Sequence, residues 1–286
     1  MCDYHRFLGP RNGLVYKMKL DLFTKMVVLV AVLWAVTSAF GGDMQTEAPS
    51  LRLTVIFNNV PFDTSLRTSW GFSCLIEGTE QTILFDTGGE GSILLGNMKR
   101  MNIDPMAVDM VFLSHIHADH TGGLEALLKQ NPHVTVWLPE CFPDSFKEAI
   151  KSYGANVKSV RKPTRLLNGV HSSGELGDSI KEQALILETS NGLVIITGCA
   201  HPGIVNVVRK AKELFKVEVY LVMGGFHLAG INNPRIREII RMLKEIGVKK
   251  VAPSHCTGER AIAFFREAWG DDFLEGGGGA GIELAQ

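Results

Sequence analysis

The sequence predicts an α/β fold as a single domain over residues 50–286, and three observations carry the prediction. Apolar, strand-like runs alternate with helical patterns, several of those runs finish on a histidine, and the composition is that of an ordinary globular chain. With 286 residues, 45% hydrophobic and 21% charged, the length suits one large α/β domain better than two small ones. A formal net charge of −1 argues against nucleic acid as a partner, because phosphate binding shows as a basic excess. A small-molecule, anionic substrate held locally remains compatible with it.

The first 43 residues are set apart. Met26 to Phe40 carries no charge, Lys17, Lys19 and Lys25 precede it, and Thr37-Ser38-Ala39 supplies small residues at its exit. That pattern is expected of a secretory signal peptide or an uncleaved N-terminal anchor, with Met18 as an alternative start. The run is short for a membrane span, which needs about 20 apolar residues. The expected location is therefore exported, periplasmic or extracellular, with membrane contact only through an anchor. Cys74, Cys141, Cys199 and Cys256 are scattered and give no disulfide framework.

Along the domain, 51–58, 70–77 and 82–87 read as strands close together, which implies an antiparallel or mixed opening to the sheet. Strand 108–115 precedes a helical stretch near 120–130, and strand 134–139 precedes a second helix, PDSFKEAIKSYG. Runs 183–189 and 192–198 form a hairpin around Ser190-Asn191; 217–225 and 248–254 are further buried strands. The clearest helix is 234–246, where Ile236, Ile239, Ile240, Leu243 and Ile246 share one face, with Asn233 as its cap and Gly247 as its end. Segment 161–181 has no clean period and reads as a long loop. The run Gly276–Gly279 reads as a flexible turn before a last strand.

Four apolar strands exit onto a histidine: His115, His201, His227 and His255. Strand C-termini in open α/β sheets share the edge where ligands bind, so these side chains can converge. The densest exit is His115-Ile116-His117-Ala118-Asp119-His120. In extended chain, residues two apart point the same way, so His115 and His117 can grip one metal. Asp119 and His120 follow from the first turn of a helix, and imidazole with carboxylate suits zinc or iron. Cys199 has two readings, a thiolate ligand or a small buried residue at a strand end. His227 has three: a ligand, an acid that protonates a leaving group, or a core histidine. His5, His133 and His171 have no comparable setting. Asp86 is expected to orient a ligand histidine rather than to bind metal.

The HxHxDH pattern at 115–120 resembles the signature of the metallo-β-lactamase superfamily, and Asp86-Thr87-Gly88 is similar to that superfamily's first motif. The resemblance implies a metallo-β-lactamase-like αββα four-layer sandwich. It implies one metal site of His115, His117 and His201 and a second of Asp119, His120 and His255, holding one or two divalent ions, Zn2+ before Mn2+ or Fe2+. Where the superfamily commonly places a bridging aspartate after Thr-Gly, this chain has Cys199. The stretches 198–203, 224–228 and 253–258 resemble a branch that includes dihydropterin ribofuranosylaminobenzene-phosphate synthases beside metal-dependent hydrolases. The expected function is a metal-dependent hydrolase, a metal-bound hydroxide attacking an ester, a phosphoester by preference, with Asp119 and His227 in catalytic roles. A synthase-like transferase and a non-catalytic metal-binding protein are the alternatives.

Overall fold

The computed structural model describes residues 50–285, so the expected leader and start site lie outside the described residues. Strands β1 (Ser50–Asn58), β2 (Phe72–Glu77) and β3 (Ile83–Phe85) form the expected antiparallel opening. Helix α1 (Gly91–Arg100) then returns the chain to β4 (Met110–Phe112), which lies parallel to β3. After α2 (Ala118–Thr121) and α3 (Leu124–Gln130), the parallel run continues through β5 (Thr135–Pro139), α4 (Asp144–Ser152) and β6 (Asn156–Val160).

The second sheet begins with β7 (Thr164–Leu167) and β8 (Val170–Ser172), a hairpin inside the stretch expected to be a loop. Mixed polarity hid it: β7 and β8 are short, and only two of their residues are fully buried. The hairpin β9 (Leu185–Thr189) and β10 (Gly192–Thr197) turns where expected. Helix α5 (Ile204–Phe215) leads to β11 (Val219–Gly225), α6 (Asn233–Ile246) to β12 (Lys250–Ser254), and α7 (Glu259–Trp269) follows. Strands β10, β11 and β12 are mutually parallel. The cap of α6 is Asn232, one residue before the expected Asn233; its side chain accepts from the Arg235 N–H. Strand β13 (Gly281–Ala285) closes the first sheet beside β1. Three of the four preceding glycines, Gly276, Gly277 and Gly279, are close-packed rather than loose: a Cβ on Gly276 would lie 2.7 Å from the Ala252 carbonyl oxygen.

Side-chain alternation sorts the strands into layers. Leu53, Phe85, Met110 and Phe112 of the first sheet meet Leu187, Val194, Ile196 and Met223 of the second. The opposite face of the first sheet, with Val111 and Val136, packs on Leu94, Leu127 and Ile150 of α1, α3 and α4. The opposite face of the second, with Ile195 and Val222, packs on Val208, Ile240 and Phe265 of α5, α6 and α7. Helix, sheet, sheet and helix therefore stack as four layers, and the exits of β3, β4, β10, β11 and β12 supply the site residues. Phe112 is fully buried between the sheets and stacks on Phe85 with ring centroids 5.5 Å apart. Phe112→Ala should cost about 3–5 kcal/mol of stability, measured as a shift of the chemical-denaturation midpoint at unchanged slope.

Candidate metal centre

Three histidines of the centre, His115, His120 and His255, are held by their back nitrogens. His120 Nδ1 lies 2.7 Å from Asp86 Oδ2, and Asp86 is fully buried at the exit of β3. The same carboxylate accepts from the Ser114 N–H and hydroxyl, both at 2.7 Å. The Ser114 oxygen lies 2.9 Å from His115 Nδ1 and is left to accept its proton. His255 Nδ1 lies 2.7 Å from Asn59 Oδ1, which can only accept. These contacts make Nδ1 the donor on all three rings and turn Nε2 inward.

The inward atoms meet in two groups. His115, His117 and His201 bring ligand atoms within 4.8 Å of one another, and Asp119, His120, Cys199 and His255 do the same. His115 Nε2 and His117 Nδ1 are 3.1 Å apart. In the second group His120 Nε2 lies 3.2 Å from Cys199 Sγ and 3.5 Å from Asp119 Oδ2, and His255 Nε2 lies 3.2 Å from Asp119 Oδ2. Four donors about 2.0–2.3 Å from one zinc ion stand about 3.3–3.8 Å from each other, so these spacings are slightly tight for a tetrahedral ion. The Nε2 atoms of His201 and His255 are buried without a hydrogen bond, the His255 approach to Asp119 being outside hydrogen-bonding geometry. A buried polar atom left unpaired is costly unless something else binds it. The residues present therefore fit divalent ions.

Electrostatics supports the same reading. Burial, with neighbouring imidazoles second, pushes His115 far below the usual histidine range, and the same causes bring His201 down to about 4. Both are neutral ligands at neutral pH. Burial opposes charge on His120, yet Asp86 and Asp119 outweigh it and hold the ring up to about 10. A field that favours a proton there favours a cation. Asp119 stays ionised well below the carboxylate range: burial opposes this, and His120 and His255 override it.

Of the six described non-glycine residues with positive φ, four stand at these strand exits: Asp86, Ala200, His227 and His255, at 51–57°. Such backbone costs about 1–3 kcal/mol per residue and persists where its surroundings over-determine it. Gly198 permits a close approach, since a Cβ there would lie 2.1 Å from Ser114 Oγ.

The structure brings together His115, His117, Asp119, His120, Cys199, His201 and His255, with Asp86 behind them. His227 stands on the rim, exposed, its ring 4.5 Å from that of His201, so it is no core histidine. His133 and His171 lie elsewhere; His171 contacts Glu188 at 2.7 Å. Three contributors have no sequence signature. The buried Glu182 accepts four backbone N–H groups, from Gly198, Cys199, Ala200 and His201 at 2.8–3.1 Å, and so shapes the loop that presents two ligands. Asn59 orients His255, and Trp70, 54% exposed, sets its ring 4.9 Å from that of His255. A cavity of about 230 Å3 opens beside His201 and His227, with Val205, Phe226 and Ile239 on its walls and Arg209 and Arg235 among its lining residues. Arg235 is paired with Glu238 at 2.6 Å.

Residues 71–215 match the model of the metallo-beta-lactamase superfamily. The chain belongs to that superfamily. It is 36% identical over 252 residues to the 7,8-dihydropterin-6-methyl-4-(beta-D-ribofuranosyl)-aminobenzene-5'-phosphate synthase of Methanocaldococcus jannaschii, covering 71% of this chain and 86% of that protein. Among solved structures it resembles Tm1679, described as a metal-dependent hydrolase of the beta-lactamase superfamily, at 26% identity and a TM-score of 0.70, covering 82% of this chain and all of the other. The fold is shared with YhfI of Bacillus subtilis, at 14% identity and a TM-score of 0.60, over 82% of this chain and all of that one.

Glu182→Gln removes one of the two acceptor oxygens under the 198–201 loop. Metal affinity should fall about 10–100-fold, read by competition with a chromophoric chelator, whereas His133→Ala should leave it unchanged.

Proposed function

We propose that this protein is a metal-dependent hydrolase of small anionic esters, phosphoesters above all. The observation that carries the reading is the pair of converging ligand groups opening beside a cavity with apolar walls and the Arg209 guanidinium. His115, His117 and His201, and Asp119, His120, Cys199 and His255, would hold divalent ions, which would supply Lewis acidity toward the substrate oxygen and a water nucleophile at neutral pH. Zinc suits the mixed imidazole, carboxylate and thiol donors best.

The chain's own residues do the remaining work. Asp119, one-fifth exposed, is the ionised carboxylate facing the shared space, placed to accept a proton from the attacking water. Asp86 and Glu182 keep the ligand rings and the 198–201 loop from turning away during turnover. Arg209, on α5, has no hydrogen-bond or ion-pair partner among the described residues and lines the cavity, where it can meet a second anionic group on the substrate. Val205, Phe226 and Ile239 would pack on an apolar or aromatic body between the two ends.

A second reading, a transferase that joins a pterin methyl carbon to an aromatic amine, is favoured by the 36% identity to the synthase over 86% of its length. The two readings separate in one assay. Full-length protein loaded with Zn2+ or Mn2+ should hydrolyse aryl phosphomonoesters or diesters, and His117→Ala should lose metal and turnover together while remaining folded. Failure on every ester, with condensation of a dihydropterin methyl pyrophosphate and an arylamine, would replace hydrolase by transferase. Arg209→Gln should raise KM about tenfold for esters carrying a second anionic group, matching the loss of a charge-assisted hydrogen bond; equal KM values would remove Arg209 from the site.

A further inference from the structure

Beside the two ligand groups lies a third convergence. Cys199, His227 and Cys256 bring Sγ, a ring nitrogen and Sγ within 4.8 Å of one another. They come from the exits of three neighbouring parallel strands, β10, β11 and β12. Both thiols are free and buried, while His227 is exposed, so the group is sealed below and open above.

Local structure keeps the three atoms together. Gly225 makes the space: a Cβ there would lie 2.7 Å from Cys256 Sγ and 3.2 Å from Cys199 Cα. His227 adopts φ 52°, in the left-handed region that a non-glycine residue enters only under constraint. The Cys256 thiol donates to the Cys199 carbonyl at 3.6 Å, an ordinary distance for a sulfur donor, and keeps its sulfur lone pairs for another partner.

We infer that Cys199, His227 and Cys256 form a third, sulfur-rich site for a thiophilic divalent cation, Zn2+ above all, sharing Cys199 with the Asp119, His120 and His255 group. Two thiolates and an imidazole select zinc over magnesium, calcium or manganese, which prefer oxygen. Binding releases the thiol protons to solvent and leaves the fourth position open on the His227 side. His227 is then a ligand rather than the acid that protonates a leaving group. Its cation stands beside the cavity that holds Arg209, adding positive charge where an anionic substrate would sit. The inference does not depend on which reaction the protein catalyses.

The test is metal stoichiometry of the full chain after equilibrium dialysis against Zn2+, together with the near-ultraviolet thiolate-to-metal bands of the Co2+-loaded protein. Cys256→Ser and His227→Gln are compared with the parent, each checked for fold by circular dichroism. Each variant should hold one equivalent fewer than the parent, and Cys256→Ser should lose part of the thiolate band. Iodoacetamide should modify Cys199 and Cys256 only after a chelator is added. Unchanged stoichiometry in either folded variant overturns the site. Protection that survives the chelator and yields only to a reductant overturns it too, by revealing a Cys199–Cys256 disulfide instead. Should Cys256→Ser fail to fold, His227→Gln alone decides, because its side chain is exposed.

Discussion

The Asp86 carboxylate ties the exit of one strand to the exit of the next. It accepts from the backbone and hydroxyl of Ser114 and from His120, so that β3, β4 and the turn into α2 are held at one point. It is fully buried, and a buried carboxylate is stable only when its lone pairs are filled. Those partners leave His115 and His120 facing inward, their Nε2 atoms turned toward His117 and Cys199. The rest of the centre is arranged around that fixed pair: His117 follows two residues on, and Cys199 approaches His120 because Gly198 has no side chain to collide with Ser114.

Glu182 plays the matching part on the second sheet. Burial raises its pKa, and the backbone N–H groups of His201, Ala200 and Cys199 oppose that rise, so the acid and the 198–201 loop stabilise each other. Two buried acids, one per sheet, thus sit behind the imidazoles. This is a field in which cations are favoured, and His115 and His201 of the first ligand group are neutral rings that need no deprotonation at neutral pH. The cost is carried by the backbone, whose left-handed residues cluster at the same exits.

Much of this was legible in the sequence because strand exits and histidines are both written locally. The four apolar runs ending on His115, His201, His227 and His255 predicted one edge, and the fold delivers them to it. The hairpin at Ser190-Asn191 and the buried face of α6 were likewise periodic and local. What stayed hidden depends on distant partners. Glu182 satisfies a loop 16 to 19 residues further on, and Asn59 meets His255 across 196 residues. Helix α5 is rich in β-branched residues, α1 contains Gly91 and Gly96, and both form by packing on a sheet face rather than by propensity. Cys199 and His227 kept several readings because only three-dimensional proximity separates a ligand from a packed thiol or a free acid.

The most direct test of the account is calorimetric titration of the metal-stripped full chain with Zn2+, paired with its thermal midpoint. The strand-exit ligand sets predict at least two equivalents bound and a higher midpoint when loaded, since an ion that binds only the folded state stabilises it. A folded protein that takes up no zinc, with its midpoint unmoved, would contradict the claim that these histidines converge to hold metal.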